Sequence, residues 1–223
     1  MSHHWTADTF LGDVSDDICS PFFNKSGGIF VVLQSSGEIL RVNSSGSMET
    51  THTTGGQPSG ACYDPDGVLY VADFAHGSVL AVQPDGQQDV VVGVYEDKPM
   101  LGPNSICYSG DSIFFTDSGP FGETGLHSPN GSVFAIVNSP SGQILKPISL
   151  GNLAYPAGIA VGHDGSIYVA ETMTNRILRF FQQPEGVYHG SVFCQLSGQV
   201  GPSGVAIDST GNLYIAQYET RGW

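Results

Sequence analysis

Four segments of the chain repeat a proline followed by a small residue: Pro58-Ser59, Pro103-Asn104, Pro156-Ala157 and Pro202-Ser203. A degenerate earlier copy places Cys19 or Ser20 ahead of Pro21. With Ser105 beside Asn104, these positions offer one amide, several hydroxyls and a methyl, a polar set without a carboxylate. A hard divalent cation such as calcium takes several oxygen ligands, usually with carboxylates among them. The residues themselves therefore specify no cofactor, and Asn104 is the metal-ligand candidate of the set. Acids recur elsewhere: Asp73, Asp117 and Glu171 close the second segment of successive copies, and Gln217 takes that place in the last. Their repetition predicts a structural duty, accepting backbone or hydroxyl hydrogen bonds at the turn into the third strand. A general acid and base would instead need two carboxylates in unlike surroundings at one place.

Nucleophile elbows, phosphate-cradling loops and paired-histidine metal helices are all missing from the sequence. Ser203 in Gly201-Pro-Ser-Gly204 shares its slot with Ser59 and is a repeat feature. His52, His76, His127, His163 and His189 fall mostly in or beside turn-like segments, where a solvated imidazole is the ordinary reading. Cys62 and Cys107 occupy one slot of their repeats, filled later by Ala160 and Ala206, so the position asks for a small apolar side chain. Cys19 and Cys194 lie elsewhere, and no metal-binding spacing appears.

The elements that must position these residues follow from the repeat. Pro58 to Asp73 can be laid on Pro103 to Asp117, and two more copies begin at Pro156 and Pro202, at intervals of 45, 53 and 46 residues. Each copy reads as a short apolar segment, a tight turn, and an alternating β-branched and aromatic segment such as Ser166 to Glu171. A third strand follows at 77–82, 131–136 and 175–180, and a fourth at 89–94 and 190–195. Four antiparallel strands per ~45 residues make one propeller blade. The fold class is all-β, a propeller of the six-bladed type. Its inner strands start around one end of a central channel, so Ser59, Asn104, Ser105, Ala157 and Ser203 are expected to line a channel-mouth ligand site.

Composition agrees. The 223 residues include 30 glycines, and charged residues make up only 13% where about 25% is usual. A formal net charge of −14 repels phosphate backbones and anionic lipid, which excludes nucleic acid and membrane surfaces as partners. The start lacks the basic and apolar regions of a signal peptide, and no stretch is long enough to span a bilayer, so a soluble, cytoplasmic protein is expected. Residues 1–18 form an N-terminal segment that is expected to pair with a terminal blade, and residues 19–223 form blades one to five. The sequence stops at Trp223, halfway through the fifth repeat. That predicts a shortened propeller, or an open edge covered by a neighbouring copy or a partner. The long third repeat carries the loop Ser118 to Asn130, in which Glu123 and His127 are candidate contacts for a ligand or partner.

On these repeats the chain resembles the propeller superfamily that contains the senescence marker protein/gluconolactonase family, strictosidine-synthase-like proteins and NHL-repeat proteins. The segment Leu101 to Gly119, with Pro103-Asn104 and Phe115-Thr116-Asp117, is similar to a gluconolactonase hairpin, and Tyr155 to Val161 with Tyr168 to Thr172 is similar to lactonase and strictosidine-synthase-like segments. The resemblance implies a divalent cation such as calcium, held by a first-blade Glu, third- and fourth-blade Asn residues and a fifth-blade Asp, which polarises a lactone carbonyl. Carried over, the third-blade Asn matches Asn104, but the fourth-blade Asn falls on Ala157 and the fifth-blade Asp on Ser203. The first-blade Glu falls on Cys19 or Ser20, with Asp16 and Asp17 nearby. The expectation is a propeller with a depleted metal site, binding a small molecule or a protein with little or no hydrolase activity. The alternative is a metal-dependent lactonase or ester hydrolase using Asn104 with ligands not identified in the sequence. A purely structural scaffold is a third reading.

Overall fold

The computed structural model describes residues 17–140, 142–198 and 200–218. The first blade is β1 (Ile18–Phe23), β2 (Ile29–Leu33), β3 (Glu38–Val42) and β4 (Met48–Thr53). The second is β5 (Pro58–Tyr63), β6 (Leu69–Asp73), β7 (Ser78–Val82) and β8 (Gln88–Val92). A two-stranded ribbon, β9 (Val94–Tyr95) and β10 (Lys98–Pro99), leads to the third blade of β11 (Pro103–Ser109), β12 (Ser112–Asp117), β13 (Gly131–Ser139) and β14 (Gly142–Leu153). The fourth blade is β15 (Pro156–Val161), β16 (Ile167–Glu171), β17 (Arg176–Gln182) and β18 (Tyr188–Gln195), and β19 (Pro202–Ile207) pairs with β20 (Leu213–Gln217) in the fifth. Within every sheet the strand order is the chain order and all pairings are antiparallel. This is the propeller predicted from the repeat. The fourth strand of the second blade ends at Val92, before Gly93, and the residues beyond it form the ribbon that the repeat did not foretell. His52 lies in β4 and His189 in β18, on strands rather than turns. The predicted pairing of the N-terminal segment, and Asp16 within it, lie outside the described residues, which begin at Asp17.

Period-two alternation builds the core between blades. Leu69 and Val71 of β6 pack toward Phe22, Phe30, Val32 and Ile39 of the first blade. Their alternates Tyr70 and Ala72 pack toward Ile106, Phe115 and Phe134 of the third. The same division recurs one blade on, where Phe114 joins Ile159, Ile167 and Val169 while Ile113 and Phe115 face the second blade. Because both faces of a middle strand are covered, β6 and β7 are buried along their whole length.

The recurring acids fasten each blade to the linker that enters it. Asp73 lies opposite Pro58 in the ladder. Its Oδ1 accepts the N–H groups of Gln57 (2.9 Å) and His76 (3.0 Å), and its Oδ2 accepts the Thr54 hydroxyl (2.7 Å). Asp117, opposite Pro103, accepts the N–H groups of Leu101 (3.0 Å) and Gly102 (2.7 Å). Glu171, opposite Pro156, accepts the Ala154 N–H (2.8 Å) and the Thr174 hydroxyl (2.6 Å) and pairs with the Arg176 guanidinium. In the fifth blade Gln217 reverses the polarity and donates to the Ser197 carbonyl (2.8 Å). The turn into the third strand, where the sequence placed these bonds, supplies only the His76 and Thr174 donors. The linker N–H groups are the larger part of the arrangement.

The inner strands approach so closely that side chains are excluded between them. A Cβ on Gly60 would stand 2.8 Å from the Asn104 carbonyl oxygen, and one on Gly158 would stand 2.6 Å from the Gly204 Cα. A Cβ on Gly204 itself would meet nothing nearer than Ala216 Cβ at 3.5 Å, an ordinary contact. Gly158→Ala is therefore expected to lower unfolding stability by about 1–3 kcal/mol. Gly204→Ala is expected to leave it unchanged or raise it slightly. Urea denaturation of the two variants checks this, and equal losses would contradict the packing described.

The buried acids also predict opposite pH trends. Burial alone would raise Asp73, but hydrogen bonds from the His76 N–H, the Thr54 hydroxyl and the Gln57 N–H outweigh it and hold its pKa below the ordinary value. Burial pushes Asp117 above that value, only partly offset by the Leu101 and Gly102 N–H groups. A depressed folded pKa gives Asp73 a stabilising contribution that is present above the ordinary value of 3.8 and lost as pH falls through the folded pKa. A raised one gives Asp117 a contribution that is present below 3.8 and lost as pH rises through the folded pKa. Asp73→Asn should cost about 1–3 kcal/mol at neutral pH. Its deficit should shrink as pH falls below 3.8, whereas the Asp117→Asn deficit should grow as pH falls toward 3.8 from above and then level off. Denaturant titrations on both sides of 3.8 measure the two trends, and identical behaviour would be inconsistent with these environments.

Candidate functional site

Every innermost strand carries a register shift just inside its entry: between Cys19 and Phe22, Pro58 and Gly60, Pro103 and Ile106, Pro156 and Ile159, and Pro202 and Gly204. A bulge re-aims the side chain it displaces. Here the displaced residues are Ser20, Ser59, Asn104, Ser105, Ala157 and Ser203. With Cys19, all of them line one central cavity of about 1200 Å³, bounded by β1, β5, β11, β15 and β19. The small-residue slot follows one step along, where Cys62, Cys107, Ala160 and Ala206 form part of the same wall.

A bulge leaves a carbonyl without its ladder partner, and hydroxyls of the preceding blade supply the missing donor. Ser20 donates to the Ser59 carbonyl (2.6 Å), Thr116 to the Ala157 carbonyl (2.7 Å) and Thr172 to the Pro202 carbonyl (2.7 Å). Each strut fixes an entry residue of one blade against its neighbour. The side chains at the mouth are themselves oriented: Gln34 Nε2 donates to Ser59 Oγ (2.9 Å), and Asn104 Nδ2 donates to Ser118 Oγ (3.2 Å). Ser118 is fully buried. Ser203 donates to the Ala216 carbonyl at 3.4 Å.

The described residues that line the cavity include no Asp, Glu, His, Lys or Arg. Their polar groups are the amides of Gln34 and Asn104, the hydroxyls of serines, Thr172 and several tyrosines, and three thiols. Burial pushes the Cys19 thiol up to about 11 and the Cys107 thiol up to about 12, and burial with Cys107 and Asp64 nearby raises Cys62 as well. All three are held as neutral thiols at physiological pH and are not activated nucleophiles. Among the described residues no group of three or more His, Cys, Asp or Glu side chains is placed to hold a metal ion. Asp17 accepts the Ser35 N–H (2.8 Å) and does not line the cavity. A hard divalent cation, which the fold family implies, does not fit this neutral donor set.

The long third-repeat loop reaches the mouth through a residue that the sequence did not single out. Glu123 and His127 are exposed and do not line the cavity. The ring of Phe121 stands edge-to-face on Tyr155, with centroids 5.0 Å apart and planes at 85°. Tyr155, Gln34 and Thr172 are lining residues outside the repeated slot, which is why slot-by-slot reasoning passed over them. The adjacency of Tyr155 to the repeat proline was the available signal.

Comparison with known proteins agrees with this architecture. The model for the SMP-30/gluconolactonase/LRE-like region matches residues 95–222, and the NHL repeat model matches residues 56–81. Lactonase drp35 of Staphylococcus epidermidis is 27% identical over 211 residues, covering 88% of this chain and 62% of the relative. Lactonase drp35 of Staphylococcus aureus is 27% identical over 215 residues with the same coverage. The chain thus spans 62% of the length of these curated relatives. A putative gluconolactonase structure superimposes with a TM-score of 0.75 at 20% identity, covering 95% of this chain and 73% of that one. A gluconolactonase structure from Xanthomonas campestris gives 0.75 at 22% identity, covering 89% and 69%. Among the described residues no helix is long and apolar enough to cross a membrane. With the family model matching more than half of the sequence and the repeats folded as successive blades, the chain belongs to the SMP-30/gluconolactonase/LRE-like family of β-propellers.

Proposed function

We propose that this chain is a binding member of its family, which takes a small uncharged molecule into the central cavity and has little or no metal-dependent lactone hydrolysis. The observation that carries the reading is the absence of any charged side chain among the described lining residues. A lactonase of the family type uses an ion to polarise the carbonyl and help activate water, and here Ala157 and Ser203 stand where the resemblance calls for an Asn and an Asp. An amide and hydroxyls can orient a neutral ligand by hydrogen bonds while the apolar wall of Ile106, Ile159 and Val205 covers its remaining surface.

A second reading is a metal-dependent lactonase that uses Asn104. It is favoured by the curated relatives, which are named lactonases. A panel of aliphatic, aromatic and sugar lactones, assayed on wild type and Asn104→Ala with and without a chelator, separates the two. The binding reading expects hydrolysis at the uncatalysed rate in every combination. Turnover abolished both by the chelator and by Asn104→Ala would overturn it and establish the second.

A further inference from the structure

The first blade buries apolar side chains on both of its faces, and one of those faces has no partner blade among the described residues. Toward the second blade, Phe30, Val32 and Ile39 pack against Leu69, Val71 and Leu80. On the opposite face, Val31, Leu40 and Val42 are only 8%, 6% and 8% exposed. The partly buried apolar side chains packed against them, Ile18, Ile29 and Leu33, stand in the same sheet. In its ladder Val31 lies opposite Leu40, Ile29 opposite Val42 and Leu33 opposite Ile18. Side-by-side neighbours in one sheet leave the tips of upright side chains open to water, and closing them takes a second layer packed about 10 Å away.

The far end of the blade series shows how a face without a second layer behaves. Tyr214 and Ala216 of β20 hold the ladder positions of Tyr70 and Ala72 in β6, whose side chains pack toward the third blade. In the fifth blade that face is open. Tyr214 is 47% exposed against 9% for Tyr70, and Ala216 is exposed where Ala72 is fully buried. Burial of Val31, Leu40 and Val42 therefore does not follow from standing at the end of the series; something lies over them.

Two stretches longer than one residue lie outside the described part of the chain, 1–16 and 219–223. The first is joined directly to this blade. Asp17 accepts the Ser35 N–H (2.8 Å) at the turn between β2 and β3, so residue 16 leaves beside the strands that carry the covered face. Extended chain spans about 3.3 Å per residue, so residues 5–14 reach about 33 Å, beyond the ~17 Å length of a five-residue strand. The stretch also has the chemistry of a cover, with Trp5, Phe10, Leu11 and Val14 set among polar residues. Residues 219–223 offer only Trp223 and follow β20, at the other end of the blade series.

We propose that the N-terminal segment seats Phe10 and Leu11, flanked by Trp5 and Val14, on the face formed by Val31, Leu40 and Val42, as a second layer over the first blade. The segment thereby shields a contiguous apolar patch that would otherwise draw self-association. The contact is layer on layer, which the test separates from edge-to-edge pairing with β20.

The test compares the wild-type full chain with the double variant Phe10→Ser, Leu11→Ser by hydrogen exchange read by mass spectrometry. Both changes lie outside the described blades. The proposal expects faster exchange in peptides covering β2 and β3 and unchanged exchange in those covering β19 and β20. It also expects a thermal midpoint lowered by about 5–10 °C. Trp5 supplies a second reading that does not depend on the folding of that variant. Trp5 and Trp223 are the only tryptophans of the chain, so Trp223→Phe leaves Trp5 as the sole emitter. Acrylamide should quench it several-fold less in the native protein than in urea. Faster exchange confined to β19 and β20 would assign the segment to edge pairing and overturn the proposal. Unchanged exchange everywhere, or native quenching of Trp5 equal to that in urea, would overturn it as well.

Discussion

The close approach of the inner strands governs the rest of the structure. Gly60 lets β5 lie against the backbone at Asn104, and Gly158 lets β15 lie against Gly204. At these separations the backbones themselves form the channel wall, and the side chains displaced by the entry bulges are the ones that reach the channel. The bulges would leave buried carbonyls unsatisfied, a cost of about 1–3 kcal/mol each, were it not for the hydroxyls of Ser20, Thr116 and Thr172 donating across from the neighbouring blade. Strand approach, bulge and strut are thus one device. Its product is a ring of small residues at a common mouth, stabilised from outside by the interlocked apolar faces of successive blades.

Charge is distributed in a way that defines the chemistry of that mouth. The chain has a net charge of −14, yet its buried carboxylates are committed to the linkers, where Asp73, Asp117 and Glu171 gather backbone N–H groups. The channel receives amides, hydroxyls and neutral thiols. On the proposed function, a site of this composition recognises by hydrogen-bond direction and shape rather than by ion pairing. Its described lining residues give a divalent ion no negative partner to offset the loss of its hydration shell. Members of one fold family differ in function when a few such positions change while the scaffold stays. On the proposed reading the positions are Ala157 and Ser203, set among a scaffold that the family model recognises.

The blade repeat was legible in the sequence because its physics is local. Alternating segments such as Leu69 to Asp73, punctuated by Asp-Gly turns, specify hairpins, and the recurrence of Pro58, Pro103, Pro156 and Pro202 fixes which strand comes first. Convergence of the entry residues followed from the repeat alone. The linker bonds of the acids were misplaced because a carboxylate opposite a proline reaches backbone that is distant in sequence, as with Asp117 and Gly102. Gln34, Thr172 and above all Tyr155 were missed for a related reason. Their exposure to the channel depends on how neighbouring blades sit, and no periodic signal encodes a single side chain at φ +60°. Within the loop, charge drew the sequence reading to Glu123 and His127, while packing selected Phe121.

The proposed function stands on the mouth of the channel, neutral among its described lining residues, having no affinity for a divalent ion. Calorimetric titration of the metal-free full chain with calcium and with zinc tests it most directly. The account predicts no saturable heat from either ion in the micromolar to low-millimolar range. Stoichiometric binding of one ion that disappears in Asn104→Ala would contradict it.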